Sequence, residues 1–337
     1  MPATTTVFLS LTVEISSAKF LTEELTWAIF RIFRFVIIPC ISVLGILGNV
    51  TSIVILTRQG FRKCSNILLL SLAVSDVLLL IGANNVPYFI YTFIYLGGFS
   101  GSIFSICFIL YLIFDCAYIV GMLSATLIPV LITGERMLSI LCPLTAHLFL
   151  TPRRTAVVVS YVFFVSAAYC LYHEMLCQQL QNDVLQNKTV GISLHADMFT
   201  NHIGSELYQK ITRIANFVTG IISISLVTAG CVVIGLKVVH ITKRRHLMIS
   251  HRATATTKHG MTKTTRTLMK ICLLYTVCYG WAFSLIYALE VTLLEEGLHI
   301  MSVMFCVQDM LLCLNCVGDF LIYLNSTKSF RQTKIVG

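Results

Sequence analysis

Carboxylates and amides within apolar stretches are the side chains of this sequence whose type and placement suggest chemistry most directly. Asp76, Asn49 and Asp319 lie in three different apolar stretches, and Asn315 precedes Asp319 by one helical turn on the same face. An ionisable side chain inside such a stretch is costly and indicates function. Oxygen ligands suit a hard cation, so the pattern predicts a sodium site at Asp76, Asn315 and Asp319. The alternative is a hydrated network that contains a protonated carboxyl group.

An adjacent acid and base mark the end of another apolar stretch. Glu135 and Arg136 stand side by side, and Pro143, which follows closely, limits continuation of the helix. Such a pair is usually a solvated helix end. Its combination with the proline is more specific.

Three further carboxylates, Asp115, Glu290 and Asp309, lie at the opposite ends of their stretches. Asp115 is about 31 Å along a helix from Arg136, at about 1.5 Å per residue. Unpaired carboxylates there predict a positively charged ligand; the alternative is that they hydrate a vestibule or pair with Arg213 and loop residues. A convergent pocket is the default binding site, and its other predicted lining residues, which can equally be packing residues, are Tyr118, Met122, Tyr287 and Gln308.

Seven long apolar stretches position these residues. They span residues 35–57, 65–91, 103–137, 155–176, 211–239, 268–293 and 300–324. About 20 apolar residues are needed to cross a hydrocarbon core as a helix, and lipid offers no partners to unpaired backbone groups. The sequence therefore predicts an all-α membrane protein with a seven-helix bundle at residues 35–324.

Composition agrees with this prediction. Hydrophobic residues make up 57% of the chain, charged residues 12%, and the mean hydropathy is +0.86, which excludes an ordinary soluble domain. The net charge of +9 does not indicate nucleic acid, because the basic residues concentrate on one side of the stretches, at 58–63, 153–154, 243–266 and 328–334. The positive-inside rule makes that side cytoplasmic. Residues 1–34 are then an extracellular tail and residues 325–337 a short cytoplasmic tail.

Two features predict covalent modification on the outer side. Cys177 is expected to open the connection between stretches 4 and 5, and a disulfide to Cys107 would pin that connection over the bundle; Cys116 and Cys306 are rival partners. Asn187 begins Asn187-Lys188-Thr189, a glycosylation sequon.

Several short motifs, taken together, resemble the rhodopsin-like, or class A, G protein-coupled receptors. The resemblance covers about residues 35–333, and its order and spacing are more specific than any single match. The matching segments are Gly48-Asn49, Leu72-Ala73-Val74-Ser75-Asp76, Glu135-Arg136-Met137 with Pro143-Leu144, Asp319-Phe320-Leu321-Ile322-Tyr323, and Ser329-Phe330-Arg331, which resembles the short amphipathic helix after span 7.

The sequence departs from the family pattern at several of these motifs. Met137 replaces the usual tyrosine, Phe320 replaces the span 7 proline, and Tyr279 takes the place of the usual span 6 tryptophan, with no proline nearby. Such departures suggest a divergent branch, similar to invertebrate chemosensory or peptide receptors.

The resemblance implies a plasma-membrane receptor with an extracellular N-terminus, no cofactor beyond an allosteric sodium ion, and contacts to membrane lipids. Its expected partners are an extracellular small molecule or peptide and a heterotrimeric G protein. Arg136 would pair with Glu135 at rest and release on activation, Tyr323 would turn inward, and Tyr279 would act as a toggle.

Two other classes of protein agree less well with the sequence. A transporter using buried carboxylates is the alternative function, but it predicts repeats or broken helices, which the sequence does not show. An enzyme is not expected: His173-Glu174 begins like a zinc-protease motif, yet Cys177 stands where the second histidine belongs.

Overall fold

The computed structural model describes residues 23–87, 89–90, 102–142, 144, 146, 150–186, 206–249, 260–292 and 298–326. Within this part of the chain, regular structure is entirely helical. The helices are α1 (Glu23–Ile32, a π-helical turn Phe33–Ile37, then Ile38–Gln59), α2 (Cys64–Ala83), α3 (Ser102–Leu141), α4 (Pro152–Gln186), α5 (Glu206–Asn216, a π-helical turn Phe217–Ile222, then Ser223–Ile249), α6 (Gly260–Thr292) and α7 (Leu298–Ser326).

Six of these helices are long and apolar enough to cross a membrane, and the apolar part of α6, Met269–Leu285, is shorter. Large apolar side chains face outward, among them Leu47, Phe164 and Trp281, each at least 64% exposed. In water such a surface would be unfavourable, whereas lipid solvates it. The predicted all-α, seven-helix membrane fold is confirmed.

The interior of the bundle combines an apolar core with buried polar groups. Leu79, Leu80, Tyr275, Tyr279 and Leu312 form part of the largest buried cluster, which joins α2, α6 and α7. At the same depth polar side chains are also fully enclosed, and this arrangement sets the site described below.

Close packing of α2 against α3 depends on two glycines. A Cβ atom at Gly82 would collide with the backbone N and Cα of Tyr118, and one at Gly121 would collide with the backbone of Leu79. The two helices therefore approach backbone to backbone, which only a residue without a side chain permits. This contact fixes the height and rotation of Tyr118 relative to α2.

The predicted bounds need three corrections. α1 begins at Glu23 rather than at residue 35, so residues 23–34 are helical and continuous with the first span rather than part of a tail. α2 ends at Ala83 rather than at residue 91, because Asn84 and Asn85 favour turns and Pro87 disfavours helix before it. α4 continues to Gln186, so Cys177 lies in a helix and does not open a loop.

Neither α5 nor α6 contains a proline, but only α5 departs from α-helical geometry. Its π-helical turn, Phe217–Ile222, lets the hydroxyl of Ser223 donate to the carbonyl oxygen of Val218 at 2.9 Å. π-helical turns of this kind change the direction of a helix and often lie near functional sites. The amphipathic helix predicted after the last span lies outside the described residues.

Candidate functional site

A buried ion pair and a hydrogen bond meet at the carboxylate of Asp309 in α7. Arg34 in α1 places Nη1 2.8 Å from Oδ2, and the hydroxyl of Tyr118 in α3 donates to Oδ1 at 2.6 Å. Both oxygens of the carboxylate are thereby used. Three helices are joined at one charge, which we call the Asp309 junction.

Local structure explains how Arg34 reaches the junction. It lies in the π-helical turn of α1, and its guanidinium lies 5.5 Å from the ring centroid of Phe89. The arginine and aspartate side chains are only 16% and 14% exposed, so little water screens their attraction. A cation over an aromatic face adds a further favourable contact.

Sequence reasoning missed Arg34 because it assigned residue 34 to a tail. The available signal was a basic residue between Phe33 and Phe35, next to the predicted start of the first span. The sequence offered Arg213 as a possible partner for the outer carboxylates, whereas the cation that pairs with Asp309 is Arg34. The prediction of a positively charged ligand depended partly on an unpaired Asp309, and the ion pair with Arg34 removes that support.

The other predicted ligand-site residues divide between two places. Met122 packs with Tyr118 against the central core, and Gln308 is buried beside Asp309 in the sequence of α7. Asp115 instead lies against α4, where it approaches His173 and Glu174. The side chains of Tyr287 and Glu290 in α6 lie outside the described residues.

A second polar cluster, which we call the polar core, lies deeper in the bundle. Asn315 donates to Oδ2 of Asp319 at 3.1 Å, and Asn49 donates to the carbonyl oxygens of Gly45 and Cys316. Asp76 is fully buried, and its neighbours include Asp319 and the thiol of Cys316. The structure therefore groups the three residues predicted for a sodium site, Asp76, Asn315 and Asp319, with Asn49 nearby.

Four buried oxygen atoms of the polar core make no hydrogen bond within the described part of the chain. Both carboxylate oxygens of Asp76, Oδ1 of Asn315 and Oδ1 of Asp319 are buried and have no hydrogen-bond partner among the described residues. Buried oxygens normally find a partner. These residues thus fit a small hard cation, or protons and water that serve the same purpose.

An aromatic column on α6 faces the polar core. The rings of Tyr275 and Tyr279 stack with centroids 4.5 Å apart, and Phe283 continues the column at 6.3 Å from Tyr279. The hydroxyl of Tyr275 donates to the carbonyl oxygen of Thr126 in α3 at 3.3 Å. Tyr279 was predicted from the sequence, whereas Tyr275 was missed because it lies in no motif.

The opposite end of the bundle holds the acid–base pair. Nε of Arg136 lies 3.4 Å from Oε2 of Glu135. Arg136 also lines a small cavity between α3, α5 and α6, with Thr133, Cys231 and Met269 among its other walls. Tyr323 in α7 is buried, 9% exposed, one turn beyond Asp319. Arg136 therefore borders a space between these three helices.

The predicted covalent features are only partly described. Cys107 has no disulfide partner among the described residues, and the side chain of Cys177 and all of Asn187 lie outside that part of the chain. Of the rival partners, Cys306 is buried, and Cys116 accepts a hydrogen bond from the thiol of Cys170 at 2.9 Å. The Cys107–Cys177 disulfide remains a prediction.

These observations define a multi-pass helical membrane protein with one polar site near each end and a polar core between them. The family model for the 7 transmembrane receptor (rhodopsin family) matches residues 48–323. The chain belongs to this family, as its motifs suggested, and it is a G protein-coupled receptor.

One curated relative is similar over part of the chain. It is a probable G-protein coupled receptor of Caenorhabditis elegans, 26% identical over 164 residues. The aligned region covers 46% of this chain and 36% of the relative, so the chain spans about a third of the length of that relative. Ligand and partners therefore have to be argued from the residues themselves.

Proposed function

We propose that this receptor binds an extracellular ligand at the end that carries the Asp309 junction and activates a heterotrimeric G protein at the end that carries Arg136. The observation that supports this proposal most is the Glu135–Arg136 pair, 3.4 Å apart at the edge of a cavity between α3, α5 and α6. Once Arg136 separates from Glu135, its side chain can enter this cavity as α3, α5 and α6 move apart.

Charge distribution supports the orientation. Arg58 lies in the last turn of α1, and Arg62 and Lys63 lie between α1 and α2. Arg153 and Arg154 lie in the first turn of α4, at the same end as Arg136. The positive-inside rule places this end in the cytoplasm and the N-terminus outside, at the plasma membrane. The same basic surface suits anionic lipid headgroups.

The Asp309 junction is the proposed point at which the ligand acts. Arg34, Tyr118 and Asp309 tie α1, α3 and α7 together, and a ligand that contacts any of them differently in two packings shifts the balance between those packings. α7 then carries the change towards Asn315, Asp319 and Tyr323, because one rigid helix holds all of them.

α6 is the proposed moving element. It runs without an internal proline from Gly260 to Thr292, so no fixed kink divides it. The stacked rings of Tyr275, Tyr279 and Phe283 have to slide or rotate together when α6 moves away from α3. Loss of the hydrogen bond from Tyr275 to Thr126 would accompany that movement.

In this proposal a sodium ion in the polar core stabilises the resting packing. Asp76, Asn315 and Asp319 would supply the ligands, with Asn49 nearby, and the ion would neutralise part of their buried charge. A ligand of one state stabilises that state by mass action. The ion stabilises only the resting packing, and the movement from one packing to the other is made by the protein residues.

The ligand class follows from the similarity to invertebrate receptors and is a chemosensory molecule or a neuropeptide. The test is to express the receptor with a promiscuous G protein and to screen two pools of compounds separately, amidated peptides and small water-borne odorants. A response to one pool assigns the class, and a receptor silent to both, though present at the cell surface, would contradict the proposal.

Arg136→Ala tests the coupling half of the proposal. The variant should reach the surface in normal amounts and lose most ligand-dependent or basal G protein activation. The reason is that it lacks the guanidinium that is proposed to move away from Glu135 on activation. Arg153→Ala, which removes an exposed cation at the same end, is the matched control and should signal normally. Normal signalling by Arg136→Ala at equal surface expression would refute the proposed role.

A further inference from the structure

We propose that Asp115, His173 and Glu174 form a binding site for a divalent transition metal. The ion that suits these ligands best is Zn²⁺. Asp115 comes from α3 and the other two residues from α4. One candidate ligand atom from each side chain lies within 4.8 Å of the other two. The site is separate from the Asp309 junction and from the polar core, and its existence does not depend on the proposed signalling function.

The three side chains already lie close to the separations that ligands of one ion adopt. Nδ1 of His173 and Oε1 of Glu174 are 3.9 Å apart, which is too long for a hydrogen bond. Two ligands of one tetrahedral Zn²⁺, bonded at about 2.0–2.2 Å, lie about 3.3 Å apart. Small side-chain rotations therefore suffice to bring the three groups to ligand distances.

The candidate ligand atoms of Asp115, His173 and Glu174 lie in a largely buried place, where an ionised group is unfavourable unless an opposite charge is close to it. Glu174 is 7% exposed and the His173 side chain is 19% exposed. Asp115 lies beside both charged groups and shares a hydrogen bond with Glu174. Two carboxylates close together in an apolar surrounding repel each other unless a proton or a cation lies between them. A divalent ion bound by both removes that repulsion.

The donor set selects the metal. Imidazole nitrogen and carboxylate oxygen are both zinc ligands, and three protein ligands leave a fourth position for water. Ca²⁺ and Mg²⁺ prefer oxygen ligands in greater number, so neither should compete well. The nearby thiols of Cys116 and Cys170 contact each other and are outside the ligand group.

An ion at this site would join α3 to α4 close to the end of the bundle that holds the Asp309 junction. Tyr169, one turn before His173, packs its ring 6.4 Å from the imidazole and limits its rotation. α3 also carries Tyr118, three residues after Asp115. Zn²⁺ bound at the site would therefore restrain the helix that supplies one partner of Asp309.

The test is direct metal binding by the full-length receptor, purified with a tag that contains no histidine. Zn²⁺ titration against a fluorescent chelator should reveal one saturable site. Asp115→Asn, His173→Gln and Glu174→Gln should each weaken binding by about tenfold or more, since each removes one of three ligands. Zn²⁺ should raise the midpoint of thermal unfolding of the unmodified receptor more than that of any of the three variants.

Controls separate this site from incidental binding. His240→Gln, at an exposed position in the second half of α5, and Cys116→Ser should leave Zn²⁺ affinity unchanged. Co²⁺ in place of Zn²⁺ should show the visible absorption of a four-coordinate nitrogen–oxygen site, and His173→Gln should abolish it. The proposal would be overturned by an absence of saturable Zn²⁺ binding, by ligand variants that all bind Zn²⁺ as tightly as the unmodified receptor, or by loss of binding only in Cys116→Ser. None of these readouts depends on receptor activation.

Discussion

Arg34 and Asp309, near opposite ends of the chain, form an ion pair with 2.8 Å between Nη1 and Oδ2. The same carboxylate accepts a hydrogen bond from Tyr118 at 2.6 Å. Three helices that are distant in the sequence are thus held by one buried charge, and this relationship links the first, third and seventh helices before any ligand is considered.

Removal of either partner of the ion pair should destabilise the receptor. Arg34→Met leaves a buried carboxylate without its cation, which costs about 3–5 kcal/mol. The double variant Arg34→Met with Asp309→Asn should lose less than the sum of the two single losses, because no buried charge remains. Thermal unfolding in one detergent measures the effect, with the exposed Arg31→Met as control. Strictly additive losses would contradict the pairing.

Gly82→Ala should separate α2 from α3. The added methyl group meets the backbone of Tyr118, and overpacking of this kind costs about 1–3 kcal/mol. Gly280→Ala is the control, since a Cβ there has nothing within 4 Å, and it should leave stability unchanged or raise it by up to about 1 kcal/mol. Equal unfolding midpoints for the two variants would argue against the close helix contact.

Asp76→Asn should remove any sodium dependence of agonist affinity. The carboxylate provides two of the four buried oxygens that lack a hydrogen-bond partner among the described residues, and a neutral amide binds a cation less well. Sodium should lower agonist affinity in the unmodified receptor if the ion favours the resting packing. Agonist affinity that is independent of sodium before mutation would eliminate the ion and leave only the hydrogen-bonded network.

Cys107 and Cys177 should form a disulfide in the receptor at the cell surface. Replacement of either cysteine by serine should reduce surface delivery or response to ligand, and replacement of both should cost little more than one, because either change breaks the same bond. Peptide mapping under non-reducing conditions checks the linkage directly. Recovery of both residues as free thiols would exclude it.

Sequence alone determined the class of fold, the family and the depth of the main polar residues. Long apolar stretches force helices in lipid, and the spacing of Asn315 and Asp319 puts them on one helix face whatever the neighbours are. The same reasoning placed Glu135 and Arg136 together at a helix end. These properties are local, because they depend on hydropathy and helical periodicity within one segment.

Only the tertiary structure decided which polar groups meet across the bundle. Hydropathy reports neither the start of a helix nor its rotation. From the sequence Arg34 therefore falls in a tail, whereas in the structure it lies in the π-helical turn of α1 and reaches Asp309. Asp115 was expected to face Asp309 but lies against His173 and Glu174 of α4. Contacts between helices depend on helix starts, rotations and close approaches such as that at Gly82, and these are set by packing of the whole bundle rather than by any single segment.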